Sequence, residues 1–196
     1  MSEEDGNGEK KRHRHHGKSS RSFLDAGAIL DGFGLGPDET VLDLGCGDGH
    51  FAIEAAERVD FDTAVYALDL WPDSIEGLRE ELEDLGLRKV KPILADATEE
   101  IPLPADTVRV CIMVNVLHGF VHNGEFDDLM EQLVPVLHTR CRILIVDYRR
   151  VEDEHGPPLE VRVDPEEALS LFEPYGFSMG KEVEVEKNRY AVELVR

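Results

Sequence analysis

Between Ser20 and Gly36 the apolar residues Phe23, Leu24, Ala28, Ile29 and Phe33 recur at helical spacing, and Gly34 and Gly36 end the run, which predicts a short leading helix. After Pro37 the pattern becomes an alternation. VLDL (41–44) reads as a short buried strand that the glycines of 45–49 turn into a helix running to Arg58. AVYALDL (64–70) is a second strand. Pro72 then opens a helix with Ile75, Leu78, Leu82 and Leu85 on one face, and Gly86 closes it. KPILAD (91–96), VRVCIMVNVL (108–117) and CRILIVDY (141–148) supply three more strands, with a helix around Phe126 to Leu137 between the last two. Apolar strands of this kind, separated by helices, predict a doubly wound α/β fold whose parallel sheet is covered on both faces.

The last part of the chain changes style. Asp164, Pro165, Glu166 and Glu167 open a helix that buries Leu169, Leu171 and Phe172 and ends at Gly176. FSMGKEVEVE and RYAVELVR follow, separated only by Lys187 and Asn188, so these two strands must be antiparallel. Residues 1–19 (MSEEDGNGEKKRHRHHGKS) carry no apolar periodicity and are expected to form a mobile tail. His13, His15 and His16 within it are open to two readings, a transition-metal or ligand contact and a merely polar tail, because no carboxylate is fixed near them by sequence. Residues 20–196 contain no repeat and no linker, and read as a single domain.

Composition narrows the function classes. Of 196 residues 41% are hydrophobic, enough to bury roughly 70% of the unfolded surface in a core without metal or disulfides. Cys46, Cys111 and Cys141 sit in apolar stretches without CxxC spacing, so no cysteine metal centre or disulfide framework is expected. No window reaches the ~20 apolar residues of a membrane span and the N-terminus is charged, so the chain reads as cytoplasmic. The net charge is −21; residues 1–22 hold six basic and four acidic side chains, which leaves −23 on the other 174 residues. Such a body repels polyanions and disfavours nucleic acid as a partner. The charge itself fits a solvated surface suited to salt or heat.

The most informative segment runs Val41-Leu42-Asp43-Leu44-Gly45-Cys46-Gly47-Asp48-Gly49-His50. Glycines at a strand end allow a tight turn and close approach of a ligand to the backbone, and the following helix start offers free N–H groups. A dinucleotide fingerprint would read GxGxxG. Here the third glycine comes one residue early, and Asp48 would oppose a pyrophosphate. Asp43 ends an apolar strand, where an acid is costly to bury without a partner.

This segment resembles motif I of the class I S-adenosylmethionine-dependent methyltransferases, an acid-x-Gly-x-Gly-x-Gly pattern that Asp43, Gly45, Gly47 and Gly49 match. The resemblance covers about residues 20–196 and implies a seven-stranded mixed sheet, six strands parallel and one antiparallel. It also implies a cofactor site at the carboxyl ends of the first strands, formed by Asp43, Gly45, Cys46, Gly47, Gly49, Asp69, Leu70, Asp96, Ala97 and Asn115. Asp43 would face the cofactor ammonium group. Asp69 would accept the ribose hydroxyls, its other reading being a cap for the helix at Pro72. Asp96 and Ala97 would read the adenine, Asp96 otherwise being a loop acid. Cys46, Cys111 and Cys141 read as buried small hydrophobes.

On the acceptor side the fourth strand leads into Asn115-Val116-Leu117-His118-Gly119-Phe120. The Asn/Asp-Pro-Pro-aromatic run of amino-directed nucleic-acid methyltransferases is missing, which argues against base amines as acceptors. His118 suits a general base, with a packed histidine as the alternative. Tyr148 is a weaker candidate. The segment RRVEDEHGPPLEVRV (149–163) resembles that of small-molecule methyltransferases of the ubiquinone and menaquinone group, so the resemblance implies a small-molecule acceptor and direct methyl displacement without a metal. A non-catalytic cofactor-binding module, an RNA or protein methyltransferase, and a nicotinamide-dependent oxidoreductase are the alternatives.

Overall fold

The computed structural model describes residues 20–152 and 156–196; the expected tail, with His13, His15 and His16, lies outside the described residues, as does His155. Asp25 accepts a hydrogen bond from the Ala28 amide (2.9 Å) and so caps α1 (Ala26–Phe33), which Gly34 ends in the left-handed conformation. There follow β1 (Val41–Leu44), α2 (His50–Arg58), β2 (Val65–Asp69), α3 (Pro72–Leu85), β3 (Val90–Leu94) and β4 (Val108–Val114). The second half comprises α4 (Leu117–Asn123), α5 (Phe126–Val136), β5 (Leu137–Tyr148), α6 (Pro165–Phe172), β6 (Ser178–Val183) and β7 (Arg189–Val195).

The sheet order is β3-β2-β1-β4-β5-β7-β6. Neighbours from β3 to β5 pair in parallel, and β7 runs antiparallel to both β5 and β6. Six strands therefore share one direction and β7 opposes them, as the resemblance implies. Alternation along the strands sends Leu42, Leu44, Met113, Ile143 and Ile145 into the core beneath α5 and α6, and Val41, Val110, Ile112, Leu144 and Val146 into the core beneath α1, α2 and α3. The same alternation puts Asp147 and Tyr148, at the end of β5, on opposite faces.

The fourth strand is shorter than its apolar pattern predicts. It ends at Val114 because Asn115 takes a left-handed conformation (φ 55°), and its amide still reaches the Val146 carbonyl (2.8 Å). The chain then winds into α4, whose Leu117 is fully buried. That buried leucine is what makes VNVLHGF look like continuing strand. β3 likewise ends at Leu94, so Asp96 and Ala97 lie in the loop beyond it.

Arg142 on β5 ties α1 to the far half of the sheet. It donates to Glu39 (3.0 Å from Nε), to Glu193 on β7 (2.7 Å) and to the carbonyls of Phe33 and Gly34 at the end of α1 (3.0 Å each). Arg142→Ala should cost about 2–3 kcal/mol, as expected for charge-assisted hydrogen bonds in a partly buried setting. Chemical denaturation checks this. A loss under about 0.5 kcal/mol would class the network with ordinary surface ion pairs.

Candidate active site

The carboxyl ends of β1, β2, β4 and β5 lie along one edge of the sheet, the strand order reverses between β1 and β4, where a doubly wound fold places its ligand cleft, and the turn after β1 lies beside that point. Gly45 and Cys46 donate their amides to the Leu68 carbonyl (2.8 and 3.0 Å), which holds the turn against β2. Asp69 fastens it further: Oδ2 accepts the Gly47 amide (2.8 Å) and Oδ1 the Trp71 amide (2.9 Å). Asp69 thus braces the turn instead of capping α3, which has no side-chain cap bond. Asp48 accepts the His50 amide (3.3 Å) at the start of α2.

All three glycines of the turn have positive φ, yet their surroundings differ. A Cβ on Gly45 would lie 2.6 Å from Val116, and one on Gly49 would lie 2.3 Å from Leu78 of α3. Both spaces are filled by the protein itself. A Cβ on Gly47 would meet nothing within 4 Å. Of the three, Gly47 is where a ligand can come against the backbone.

Asp43 is buried at the end of β1, and its Oδ2 has no hydrogen-bond partner among the described residues. Burial pushes its carboxyl up to about 7; the Ala52 backbone in the first turn of α2 pulls the other way, and the Asp69 and Asp48 charges raise it further. Asn115, just past the end of the neighbouring β4, likewise keeps a buried Oδ1 without a partner among the described residues. Two unanswered acceptors therefore sit at the ends of adjacent strands beside the glycine turn. Cys46 and Cys111 are buried and desolvation holds their thiols well above the ordinary range, while burial also raises that of Cys141. Those cysteines are packing residues.

Further along the cleft, Leu70 follows β2 and is partly exposed, while Ala97 is buried. Asp96 Oδ1 accepts the Thr98 amide (3.0 Å) and hydroxyl (2.6 Å), which fixes its loop.

The end of β5 is built around Asp147, which sequence reading missed. This residue ends the apolar run ILIVD and has no exposed surface. Its carboxylate lies 2.8 Å (Oδ1) and 3.1 Å (Oδ2) from His118 Nδ1, and it accepts the amides of His118 (3.2 Å) and Tyr148 (2.8 Å). With three donors about it Asp147 stays satisfied inside the protein. Its pull on Nδ1–H sets the tautomer in which His118 Nε2 carries the lone pair. The only sequence signal for Asp147 is an acid closing a buried strand, the same signal that marked Asp43 and Asp69.

Tyr148 lies on the other face, its hydroxyl accepting from Arg189 (2.8 Å) and its ring under the Arg162 guanidinium (5.4 Å). It serves the packing of the loop after β5. Arg162 organises that loop by donating to the carbonyls of Pro157 (2.8 Å), Arg149 (3.1 Å) and Val151 (2.7 Å).

Residues 35–173 match the family described as "Methyltransferase domain". The chain belongs to that family. The structure is similar to a SAM dependent methyltransferase from Aquifex aeolicus, 28% identical, with a TM-score of 0.80 over 91% of this chain and 94% of that one. In fold it also resembles the mitomycin 7-O-methyltransferase MmcR, 20% identical, with a TM-score of 0.71 over 90% of this chain and 54% of that one. In sequence it is similar to aklanonic acid methyltransferase DauC of Streptomyces sp. (strain C5), 41% identical over 59 residues, 30% of this chain and 27% of that protein. It is similar too to the protein-L-isoaspartate O-methyltransferase of Aeropyrum pernix, 32% identical over 96 residues, 48% of this chain and 37% of that protein. The chain thus spans well under half the length of these two curated relatives.

S-adenosylmethionine is the cofactor of this methyltransferase family. The cleft fits it on three counts: a bare backbone at Gly47, and two buried acceptors, Asp43 Oδ2 and Asn115 Oδ1, still short of a donor such as an ammonium group.

Two predictions arise from this geometry. Asp43 must give up a proton to receive an ammonium group, so S-adenosylhomocysteine affinity should fall as pH drops below about 7, by up to tenfold per unit. In Asp43→Asn the affinity should be weaker and flat with pH; calorimetry from pH 5.5 to 8.5 reads both, and a wild-type profile already flat would count against the assignment. The sign for stability is opposite to that of an ordinary paired acid. Its raised pKa makes the folded chain lose stability as pH rises from about 4 to about 7, a loss that Asp43→Asn should remove.

The glycines should separate as well. Gly49→Ala is expected to destabilise the fold by about 1–3 kcal/mol through Leu78 and the left-handed backbone. Gly47→Val should lower S-adenosylhomocysteine affinity at least tenfold beyond any change in melting temperature. Equal effects of the two on binding and on melting would remove the distinction.

Proposed function

We propose that this methyltransferase carries the methyl group of S-adenosylmethionine to a hydroxyl oxygen of a small molecule, His118 taking the hydroxyl proton. The observation that carries this reading is the His118–Asp147 pair, a histidine with 16% of its side chain exposed, held at Nδ1 by a carboxylate with none. A hydroxyl is a poor nucleophile until it loses its proton, and a histidine whose Nδ1–H is held by such a carboxylate turns its Nε2 lone pair towards that proton. Neutral amines attack without prior deprotonation and thiols ionise readily, so neither needs this pair.

When bound, S-adenosylmethionine supplies an electrophilic methyl group on a positively charged sulfur. Asp43 and Asn115 accept from its ammonium group, Gly47 gives it a bare backbone to lie against in the turn that Gly45, Cys46 and Gly49 shape, and Asp69 takes the ribose hydroxyls with the lone pairs left beside the Gly47 and Trp71 amides. Leu70, Asp96 and Ala97 line the adenine end. The chain's remaining work is positioning, which contributes ~7–11 kcal/mol when reacting groups are well aligned. A small-molecule acceptor agrees with relatives named for aklanonic acid and for the 7-oxygen of mitomycin, and with an acidic body that repels nucleic acid. No helix among the described residues is long and apolar enough to cross a membrane, and we place this activity in the cytoplasm on a single domain over 20–196.

Purified full-length chain incubated with methyl-labelled S-adenosylmethionine and a panel of phenols, enols and carboxylic acids should label a phenol or enol. His118→Ala should lower kcat about 10²- to 10⁴-fold while S-adenosylhomocysteine affinity stays within about twofold. Asp147→Asn should lose activity with the same affinity, since it reverses the preferred tautomer. Full turnover in either variant would show that methyl transfer here needs no base.

A further inference from the structure

Residues 20–25 stand outside any α-helix; Leu24 is buried in the core with α1, and the residues before it are anchored at two separate places. At the first, Arg21 donates in parallel to both oxygens of Glu81 on α3 (2.7 and 2.8 Å), and its Nε lies 3.2 Å from Asp48 in the glycine turn. Ser20 Oγ is 3.1 Å from His50 Nδ1 at the start of α2. At the second, the Phe23 ring covers the Arg189 guanidinium, with 4.4 Å between Cζ and the ring centre. Arg189 is buried, and its Cζ also lies 4.5 Å from the centre of the Tyr148 ring. The first anchor belongs to β1 and to the helix after β2, the second to the adjoining ends of β5 and β7. In the sheet order β4 stands between β1 and β5, and the ends of β1 and β4 carry Asp43 and Asn115.

We propose that residues 20–25 are a strap across the methyl-donor cleft, latched by Arg21 and clamped by Phe23, which must open for S-adenosylmethionine to enter and for S-adenosylhomocysteine to leave. The two anchors differ in strength in the way such a device needs. The Arg21 and Glu81 side chains are 39% and 33% exposed, and a surface ion pair of that kind breaks and reforms easily. Phe23 over a buried guanidinium, next to the Asp25 cap that fixes the start of α1, is the firmer end. The latch also touches the turn itself, through Asp48 and His50, so occupation of the cleft and closure of the strap act on the same residues. The proposal rests on the cofactor reading above.

The test uses the full chain and two readouts. Trp71, the single tryptophan, follows Asp69 closely and gives a fluorescence signal for stopped-flow binding of S-adenosylhomocysteine. In Arg21→Ala both association and dissociation should be about threefold to tenfold faster, with Kd changing less than either rate; Phe23→Ala should act in the same direction. In the ligand-free chain, hydrogen exchange at the amides of 47–50 should quicken in both variants while the melting temperature holds within about 2 °C. Rates and exchange indifferent to both substitutions overturn the strap alone. If the wild-type chain binds no S-adenosylhomocysteine at all, the cofactor reading falls and the strap's role with it.

Discussion

A carboxylate taken out of water has to be met by donors, and the cleft is organised by how three buried acids meet that demand. Asp69 is the last residue of β2, and Asp147 and Asp43 are the last but one of β5 and β1. Asp69 draws in the amides of Gly47 and Trp71 and so shapes the glycine turn. Asp147 draws in the His118 ring and two amides, and so fixes the first turn of α4 against β5. Asp43 has an oxygen left over. Leaving a buried acceptor unmet costs about 1–3 kcal/mol, so the chain holds at this point a cost that a cationic ligand would relieve.

The remaining structure serves to keep these acids in place. Parallel pairing of β2, β1, β4 and β5 brings their carboxyl ends to one edge, and the helices on both faces pack over the buried side chains of these strands. Leu78 of α3 fills the space beside Gly49 and Val116 fills that beside Gly45, so that packing on both sides presses the turn into its shape and only Gly47 remains bare. β7, antiparallel at the far side, delivers Arg189 beside Tyr148, where the loop after β5 and the segment before α1 come together.

Much of this was legible in the sequence, and the exceptions share a cause. Strands and helices followed from apolar periodicity, and Asp43 and Asp69 stood out because an acid closing an apolar strand is unusual. Asp147 carries the same mark, yet its meaning depends on α4, which the run VNVLHGF conceals: Leu117 is as buried in a helix as it would be in a strand, and the left-handed Asn115 that divides the two has no signature of its own. The glycines read alike in sequence because the difference among them lies in Leu78 and Val116, distant in the chain. Arg21 and Glu81 are sixty residues apart, and no local pattern joins them. What the sequence could not show was in each case a contact across elements.

The central claim is that the leftover oxygen of Asp43 receives the cofactor's ammonium group, and carbon-13 NMR of the Asp43 carboxyl tests it most directly. The carboxyl should titrate at about 7 in the free chain, and on saturation with S-adenosylhomocysteine its midpoint should fall by about 1–3 units as an opposite charge is placed beside it. A midpoint that stays put while the ligand is bound would contradict the account.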